Sequence, residues 1–132
     1  GKSSLVHLIC NNQELKNPRS TVGCCIEMKY HQSRSSPGKS CFVEFWDVGG
    51  SERFRESRQV FFGCHADGLL LVHDLSNSIS KRNLERWKHE WQGSAFSGEG
   101  AQMNSMHQGL LDLPPALTVG NKSDLVPGGG EG

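Results

Sequence analysis

Short apolar runs along the chain predict four β-strands. Residues 24–30, 41–46 and 68–72 predict three buried strands, and residues 116–119, which follow two prolines, predict a weaker fourth. The run at 68–72 is uniformly aliphatic, which is typical of a parallel sheet covered on both faces. The connector at 32–39 is rich in Ser, Arg, Pro and Gly, so we expect it to form the loop of a hairpin between the first two strands.

Helical periodicity marks three other segments. The strongest is 80–91, where three large apolar residues share one face: Leu84, Trp87 and Trp91. We expect the two tryptophans to pack in a core rather than to bind a ligand. A second helix is predicted over 52–62, and a third begins at or before Ser3. Residues 93–109 change to Gly, Ser, Gln and Met without a period and predict a disordered loop insertion.

Composition places the chain among globular domains of ordinary size. It has 132 residues, of which 35% are hydrophobic, and 16 glycines bring the apolar share into the usual range. Fourteen basic and fourteen acidic residues give a formal charge of zero. This balance argues against nucleic-acid binding, which needs a field of Lys and Arg.

Cysteine use and the absence of long apolar runs predict a cytoplasmic protein. The longest apolar run, residues 69–72, is far too short to cross a bilayer, and no secretory signal opens the sequence. The five cysteines are odd in number and irregularly spaced, so we expect reduced thiols. A zinc site at Cys64 and His65 stays open as an alternative, although no Cys-x-x-Cys pair supports it.

Four short motifs follow one another in an order that fits the predicted strands. They are Gly1-Lys2-Ser3-Ser4 at a helix start, Thr21-Val22-Gly23 before the first strand, Asp47-Val48-Gly49-Gly50 at the end of the second, and Asn121-Lys122-Ser123-Asp124 after the fourth. Each motif alone is compatible with a simple turn or cap. Their combined order argues against four unrelated turns and predicts a site for a nucleotide.

The first three motifs carry the chemistry of a magnesium-bound triphosphate. A G-K-S sequence at a helix start places Lys2 beside the β- and γ-phosphates and the Ser3 hydroxyl on Mg²⁺. Asp47 can hold that metal through a water, because protein-bound Mg²⁺ keeps several waters. Thr21, in a mobile loop, can complete the metal shell when triphosphate is present. The glycine Gly50 lets a backbone N–H approach the γ-phosphate.

The fourth motif predicts the base. The carboxylate of Asp124, with Asn121, accepts from the ring N–H and exocyclic amine of guanine, a pair that adenine does not supply. An ATP-binding P-loop enzyme such as a kinase is the alternative that this motif opposes. The dipeptide His73-Asp74 is read as a strand-end cap or turn, against the alternative of a metal-dependent phosphohydrolase pair.

Together these motifs resemble the small Ras-type GTPases. The stretch WDVGGSERFR at 46–55 and VHDLSN at 72–77 are similar to the Rab branch, and GKSSLVHL at 1–8 with TVGC at 21–24 resembles the Rab-like protein 3 subfamily. The similarity covers nearly the whole chain apart from 93–109 and the glycine tail. It implies a P-loop NTPase α/β fold of three layers (α/β/α) with a mostly parallel sheet. The expectation is that residues 1–132 form a partial GTPase domain, truncated at both ends.

The resemblance also implies the ligands and the residues that bind them. The implied nucleotide-binding residues are Gly1, Lys2, Ser3, Ser4, Thr21, Gly50, Asn121, Lys122 and Asp124, and the implied metal ligands are Ser3, Thr21 and Asp47. The expected ligands are Mg²⁺ and GTP or GDP. Switch I, with Thr21, and switch II, with Asp47 and Gly50, would bind effectors and regulators in signalling or vesicle trafficking. Among the effector positions, Trp46 and Phe61 keep the usual aromatic character and Ile26 does not.

One departure from the family bears on catalysis. Ser51 stands where Ras-type GTPases carry the glutamine that orients the attacking water, and its side chain is shorter by two heavy atoms. We therefore expect slow GTP hydrolysis, and a pseudo-GTPase scaffold without turnover is the alternative. The resemblance implies a cytoplasmic location with peripheral contact to membranes or the cytoskeleton, and no lipid anchor is seen in this sequence.

Overall fold

The computed structural model describes residues 1–62, 64, 66–95 and 114–127. Its elements in chain order are α1 (Lys2–Asn11), β1 (Cys24–Gln32), β2 (Ser40–Val48), α2 (Arg55–Phe62), β3 (Leu69–Asp74), α3 (Ser78–Ala95) and β4 (Ala116–Asn121). Short 3₁₀ turns at Glu52–Phe54 and Ser123–Leu125 precede α2 and follow β4. All four predicted strands and the helices predicted near Ser3 and over 80–91 are confirmed, and the helix predicted over 52–62 is present in part. The elements belong to two units, Lys2–Arg58 and Gly1 with Gln59–Gly132.

The unit Lys2–Arg58 is built on the predicted hairpin. β1 and β2 pair antiparallel from Cys24 opposite Val48 to Gln32 opposite Ser40. The hairpin loop is closed by a hydrogen bond that the Ser33 N–H donates to the Lys39 carbonyl, at 2.9 Å. Helix α1 packs against both strands and contributes a buried core residue, Val6.

The hairpin presents one strongly apolar face to solvent. Residues opposite one another in an antiparallel ladder lie on the same face, so the even-numbered residues of β1 and β2 share a surface. On that surface Ile26 is 51% exposed, Met28 is 62% exposed and Phe42 is 71% exposed. The prediction that these two strands are buried is therefore wrong for this face, because within the unit α1 covers only the opposite side.

The unit that contains Gln59 and later residues is built on a parallel strand pair. β3 and β4 pair from Leu69 opposite Ala116 to Asp74 opposite Asn121, and α3 packs against β3. Two neighbouring parallel strands are normally joined by a long crossover that contains a helix, because a short turn can join only antiparallel strands. The described strands thus form one antiparallel pair and one parallel pair.

Helix α3 confirms the predicted apolar face. Leu84 is buried, and the ring of Phe62 contacts Trp87 edge-on at a 6.4 Å centroid distance and Trp91 at 5.3 Å. The tryptophans therefore pack in a core, as expected. The helix extends to Ala95, so residues 93–95 are helical and the loop predicted over 93–109 begins no earlier than residue 96. Residues 96–109 lie outside the described residues.

The segment predicted as a single helix over 52–62 has two parts. A 3₁₀ turn covers Glu52–Phe54, and α2 covers Arg55–Phe62. Among the helices that the structure describes, none combines the length and apolarity needed to span a membrane.

Candidate nucleotide-binding residues

The unit Lys2–Arg58 gathers three of the predicted metal ligands in one cluster. Ser3 lies in the first turn of α1, Thr21 in the loop before β1, and Asp47 near the end of β2. The Ser3 hydroxyl donates to Asp47 Oδ2 at 2.5 Å, and the Thr21 hydroxyl donates to the same oxygen at 3.0 Å. The two hydroxyl oxygens are themselves 3.0 Å apart. The sequence motifs, 44 residues apart at their extremes, therefore meet in space.

Asp47 is an unusual carboxylate because it is buried and only half satisfied. Its residue is 6% exposed, and its second oxygen, Oδ1, has no hydrogen-bond partner in the described part of the chain. A buried charged oxygen without a partner is costly, so it indicates a missing ligand at this position. The donor set of one carboxylate and two hydroxyls consists of hard oxygen atoms, which is the type that Mg²⁺ prefers. The residues present therefore fit a magnesium ion.

Glycines after β2 allow the surrounding backbone to close around this cluster. The Gly49 N–H donates to the Gly23 carbonyl at 2.8 Å, and a Cβ at Gly49 would lie 2.6 Å from the Thr21 carbonyl oxygen. A Cβ at Gly50 would lie 2.9 Å from the Lys2 ammonium nitrogen. The Thr21 loop and the segment after β2 are thus in direct contact, and Lys2 reaches the backbone at Gly50.

The start of α1 carries further residues that the sequence predicts to bind phosphate. Lys2, Ser3 and Ser4 form its first turn, where backbone N–H groups have no partner within the helix. A helix N-terminus favours anionic oxygens through these groups and through the helix dipole. The location of Ser4 in this turn agrees with a backbone contribution to phosphate binding.

The predicted guanine motif lies at the end of β4, in the other unit. Asn121 is the last residue of β4, Lys122 adopts a left-handed backbone with φ +63°, and Asp124 lies in the following 3₁₀ turn. The Asn121 amide donates to the Gly1 carbonyl at 3.2 Å and accepts from the Lys122 N–H at 2.7 Å. Asn121 therefore holds its neighbours in place, and Asp124 is the exposed member of the motif.

Lys122 is paired with a residue that the sequence did not assign to the site. Its ammonium donates to Asp74 Oδ2 at 2.5 Å, while Asp74 Oδ1 accepts from the N–H and the hydroxyl of Ser76. The Lys122 hydrogen bond, with those from Ser76, lowers the pKa of the Asp74 carboxyl from 3.8 to about 2. The predicted turn at His73-Asp74 is present, and it has a second role as the partner of the lysine.

Arg58 is the other residue that sequence reasoning missed. Its side chain is 1% exposed, and its guanidinium donates to the Ser51 carbonyl at 2.7 Å and lies 3.9 Å from Glu52 Oε2. Buried guanidinium groups need such partners because their charge is desolvated. Arg58 thereby fixes the backbone at Ser51, the position of the usual catalytic glutamine, while the Ser51 residue itself is exposed. No motif marks Arg58, since an arginine in a polar helix normally lies at the surface.

The alternative metal sites suggested by the sequence are not supported by a cluster of ligands among the described residues. Among the residues that the structure describes, no group of three or more His, Cys, Asp or Glu side chains is arranged to hold a metal ion. The five cysteines are all free thiols. His65, which the zinc alternative requires, lies outside the described residues.

Comparisons with known proteins identify relatives of this chain. The family model described as Ras of Complex, Roc, domain of DAPkinase matches residues 1–109. Rab-like protein 3 of Danio rerio is 39% identical over 137 residues, covering 96% of this chain and 58% of the relative. Rab-like protein 3 of Homo sapiens is 44% identical over 136 residues, covering 96% and 57%. Small GTPase-like protein LIP2 of Arabidopsis thaliana is 37% identical over 142 residues, covering 98% and 41%.

The α/β elements and the family match define a P-loop NTPase fold. The chain belongs to the Ras superfamily of small GTPases, in its Rab-like branch. The predicted family and fold class are thus confirmed. The chain spans about three-fifths of the length of the Rab-like relatives that it matches.

Proposed function

We propose that this protein is a magnesium-dependent guanine-nucleotide switch that binds GTP and GDP. The observation that carries the proposal is the buried Asp47 carboxylate, which gathers the Ser3 and Thr21 hydroxyls and leaves one oxygen without a partner among the described residues. A carboxylate with only a structural role in a hairpin is not expected to be buried with one oxygen lacking a hydrogen bond. A carboxylate that binds a metal ion and its coordinated water is expected to keep one oxygen available for that ligand.

At the phosphate end, Ser3, Thr21 and Asp47 would hold Mg²⁺, which supplies positive charge against the polyphosphate when it is bound. The Lys2 ammonium lies beside the Gly50 backbone and adds a second positive charge on that side. The backbone N–H groups of the first turn of α1, at Lys2 to Ser4, orient the phosphate oxygens. These groups contact only phosphate and metal, so they do not distinguish one base from another.

The switch action follows from the contact between the two segments that flank the cluster. The Thr21 hydroxyl touches Asp47 and the Thr21 carbonyl lies against Gly49. A ligand that draws Thr21 toward a γ-phosphate therefore displaces the segment at Gly49 and Gly50 as well. We propose that effectors read this change on the adjoining hairpin, where Ile26 and Trp46 lie opposite each other and are exposed.

Base selection is proposed to rest on Asp124. Its carboxylate is exposed and can accept from both the ring N–H and the exocyclic amine of guanine. Asn121 supports the motif by bonding Gly1 and Lys122, and Lys122 contributes through its fixed side chain. Adenine offers neither of the two donors, so the site prefers guanine nucleotides over ATP.

GTP hydrolysis is proposed to be slow. Ser51 is too short to bridge to a water in the way that a glutamine does, and its carbonyl is already held by Arg58. The same observation favours the second candidate, an interaction scaffold that binds nucleotide and never turns it over. A single-turnover measurement separates the two, because only a GTPase converts bound GTP to GDP when a regulator is added.

Titration calorimetry tests the proposed binding. We expect micromolar or tighter GDP binding with Mg²⁺, weaker binding with EDTA, and none with ATP. Thr21→Val removes the hydroxyl while keeping the shape, and with a non-hydrolysable GTP analogue as the titrant it should abolish most of the Mg²⁺ effect. Thr118→Val, at an exposed threonine of β4, is the matched control and should leave it unchanged. Equal affinity for ATP and GDP, or no dependence on Mg²⁺, would contradict the proposal.

A further inference from the structure

Lys122 forms an ion pair with Asp74, although a second carboxylate, that of Asp124, belongs to its own motif. Lys122 and Asp124 are two residues apart, and a lysine has a flexible four-carbon stem that easily spans this separation. In the structure the ammonium is instead on Asp74, at 2.5 Å, on the neighbouring strand β3. Asp124 is exposed and makes no hydrogen bond or ion pair with any described residue. The lysine therefore pairs with a carboxylate on β3 and not with the carboxylate of its own motif.

Asp74 is oriented for this role independently of the lysine. Its Oδ1 accepts two hydrogen bonds from Ser76, at 2.9 Å from the N–H and 2.5 Å from the hydroxyl. Its backbone N–H and carbonyl are both bonded to the Ser80 hydroxyl at the start of α3. These contacts fix the carboxylate and leave Oδ2 as the free acceptor. The turn between β3 and α3 thus presents a preorganised anion to Lys122.

The pair is not needed to join the two strands. β3 and β4 pair through Asp74 opposite Asn121, and the Leu75 N–H donates to the Asn121 carbonyl at 2.9 Å. The ion pair is partly open to solvent, with 44% of the lysine side chain and 22% of the aspartate side chain exposed. Exposed pairs contribute little to stability, so a purely structural purpose explains its geometry poorly.

We infer that Asp74 is a specificity-determining positioning residue, which holds the Lys122 ammonium so that the Asp124 carboxylate stays free to accept both donors of a guanine base. This inference rests on the proposed nucleotide-binding function. Without Asp74 the ammonium and the base compete for the same oxygens. This competition weakens the hydrogen bonds that distinguish guanine from other purines, and it does not affect phosphate binding.

Nucleotide affinities of the purified protein test the inference, with GDP and IDP as probes. Inosine lacks the exocyclic amine, so the ratio of the IDP to the GDP dissociation constant measures how fully Asp124 is engaged. We expect wild type to favour GDP by about tenfold, the size of one charge-assisted hydrogen bond. Asp74→Asn should weaken GDP binding by about tenfold and bring the ratio close to one. Asp67→Asn, at an exposed aspartate of the same unit, is the control that leaves both values unchanged.

A second background separates positioning from a general loss of structure. Lys122→Met removes the competing ammonium, so Asp74→Asn should have no further effect on the ratio when it is combined with Lys122→Met. A drop in the ratio of equal size in both backgrounds would overturn the inference, as would an unchanged ratio in Asp74→Asn. A variant that merely unfolds loses GDP and IDP binding together and shows a lowered melting temperature in both backgrounds, which also counts against positioning. If wild type binds neither nucleotide, the proposed function itself fails.

Discussion

Replacing Asp47 by asparagine separates the two properties of this residue, its burial and its charge. The substitution keeps the size of the side chain and one oxygen that can accept from Ser3 and Thr21, but it removes the negative charge. If Asp47 is a structural carboxylate, the protein should lose stability under all conditions. If it is a metal ligand, the loss should appear only when Mg²⁺ and nucleotide are present.

The size of the effect without metal follows from the contacts of Asp47. Its Oδ2 accepts two charge-assisted hydrogen bonds, and each loses roughly 1 kcal/mol when the acceptor becomes neutral. Removing a buried charge whose Oδ1 has no partner in the described part of the chain recovers about 1–3 kcal/mol. The two changes nearly cancel. We expect the free energy of unfolding of the metal-free protein to change by no more than about 1 kcal/mol, or about 4 °C in melting temperature.

The size of the effect with metal follows from linkage. GDP and Mg²⁺ at about 100 times their dissociation constant stabilise the folded wild-type protein by roughly 2.7 kcal/mol, or about 10 °C. Asp47→Asn should forfeit more than half of that gain, because the neutral amide is a poor magnesium ligand.

Thermal unfolding in four conditions provides the assay, namely with and without GDP and with Mg²⁺ or EDTA. Glu44→Gln is the matched control, since Glu44 is an exposed carboxylate on the same strand. Its melting curves should follow wild type throughout. A metal-free Asp47→Asn protein that melts more than about 10 °C lower, or one that keeps the full Mg²⁺-dependent gain, would refute the reasoning.

Three further outcomes follow from the described contacts. Gly49→Ala places a Cβ 2.6 Å from the Thr21 carbonyl and should cost about 1–3 kcal/mol in chemical denaturation, whereas Gly93→Ala, with open space on α3, should gain about 0.5–1 kcal/mol; equal effects would contradict the geometry. Ser51→Gln should raise single-turnover GTP hydrolysis by about tenfold or more, and an unchanged rate would mean that Ser51 does not limit turnover. Because the folded-state pKa of Asp74 is depressed to about 2 from 3.8, its contribution to stability is present above about pH 3.8 and is lost as the pH falls toward 2. Acid unfolding of Asp74→Asn should lack this small component, and an Asp74 carboxyl that titrates at its ordinary value of 3.8 by NMR in the wild-type protein would argue against the ion pair.

Much of the fold could be predicted from sequence because its signals are local. The aliphatic run at 69–72 and the face formed by Leu84, Trp87 and Trp91 correspond to β3 and α3 with small shifts at their ends. What failed was burial. The apolar character of β1 and β2 predicts a covered sheet, but within its unit the hairpin has one face under α1 and one in solvent. A sequence pattern specifies which residues share a face and does not specify what covers it.

In the candidate site, the residues of the motifs could be predicted from the sequence, and the residues that support them could not. Ser3, Thr21 and Asp47 could be grouped from sequence because phosphate and metal chemistry restricts which residue types can occupy such positions. Arg58 and Asp74 could not, since their functions come from where the chain brings them, beside the Ser51 carbonyl and the Lys122 ammonium. Spacing along the chain carries no trace of either contact.

Successive side chains of β2 lie on opposite faces of the hairpin, and this places the proposed metal cluster directly behind the exposed apolar face. Trp46 and Asp47 are consecutive in the strand, so their side chains lie on opposite faces, and Trp46 is 42% exposed while Asp47 is 6% exposed. Their partners across the ladder, Ile26 and Cys25, are consecutive as well. We therefore expect a shift of the Asp47 backbone toward or away from a ligand to displace Trp46 as its covalent neighbour, and Ile26 through the β1–β2 ladder. On this expectation, the surface proposed to bind effectors would respond to the cluster proposed to bind magnesium.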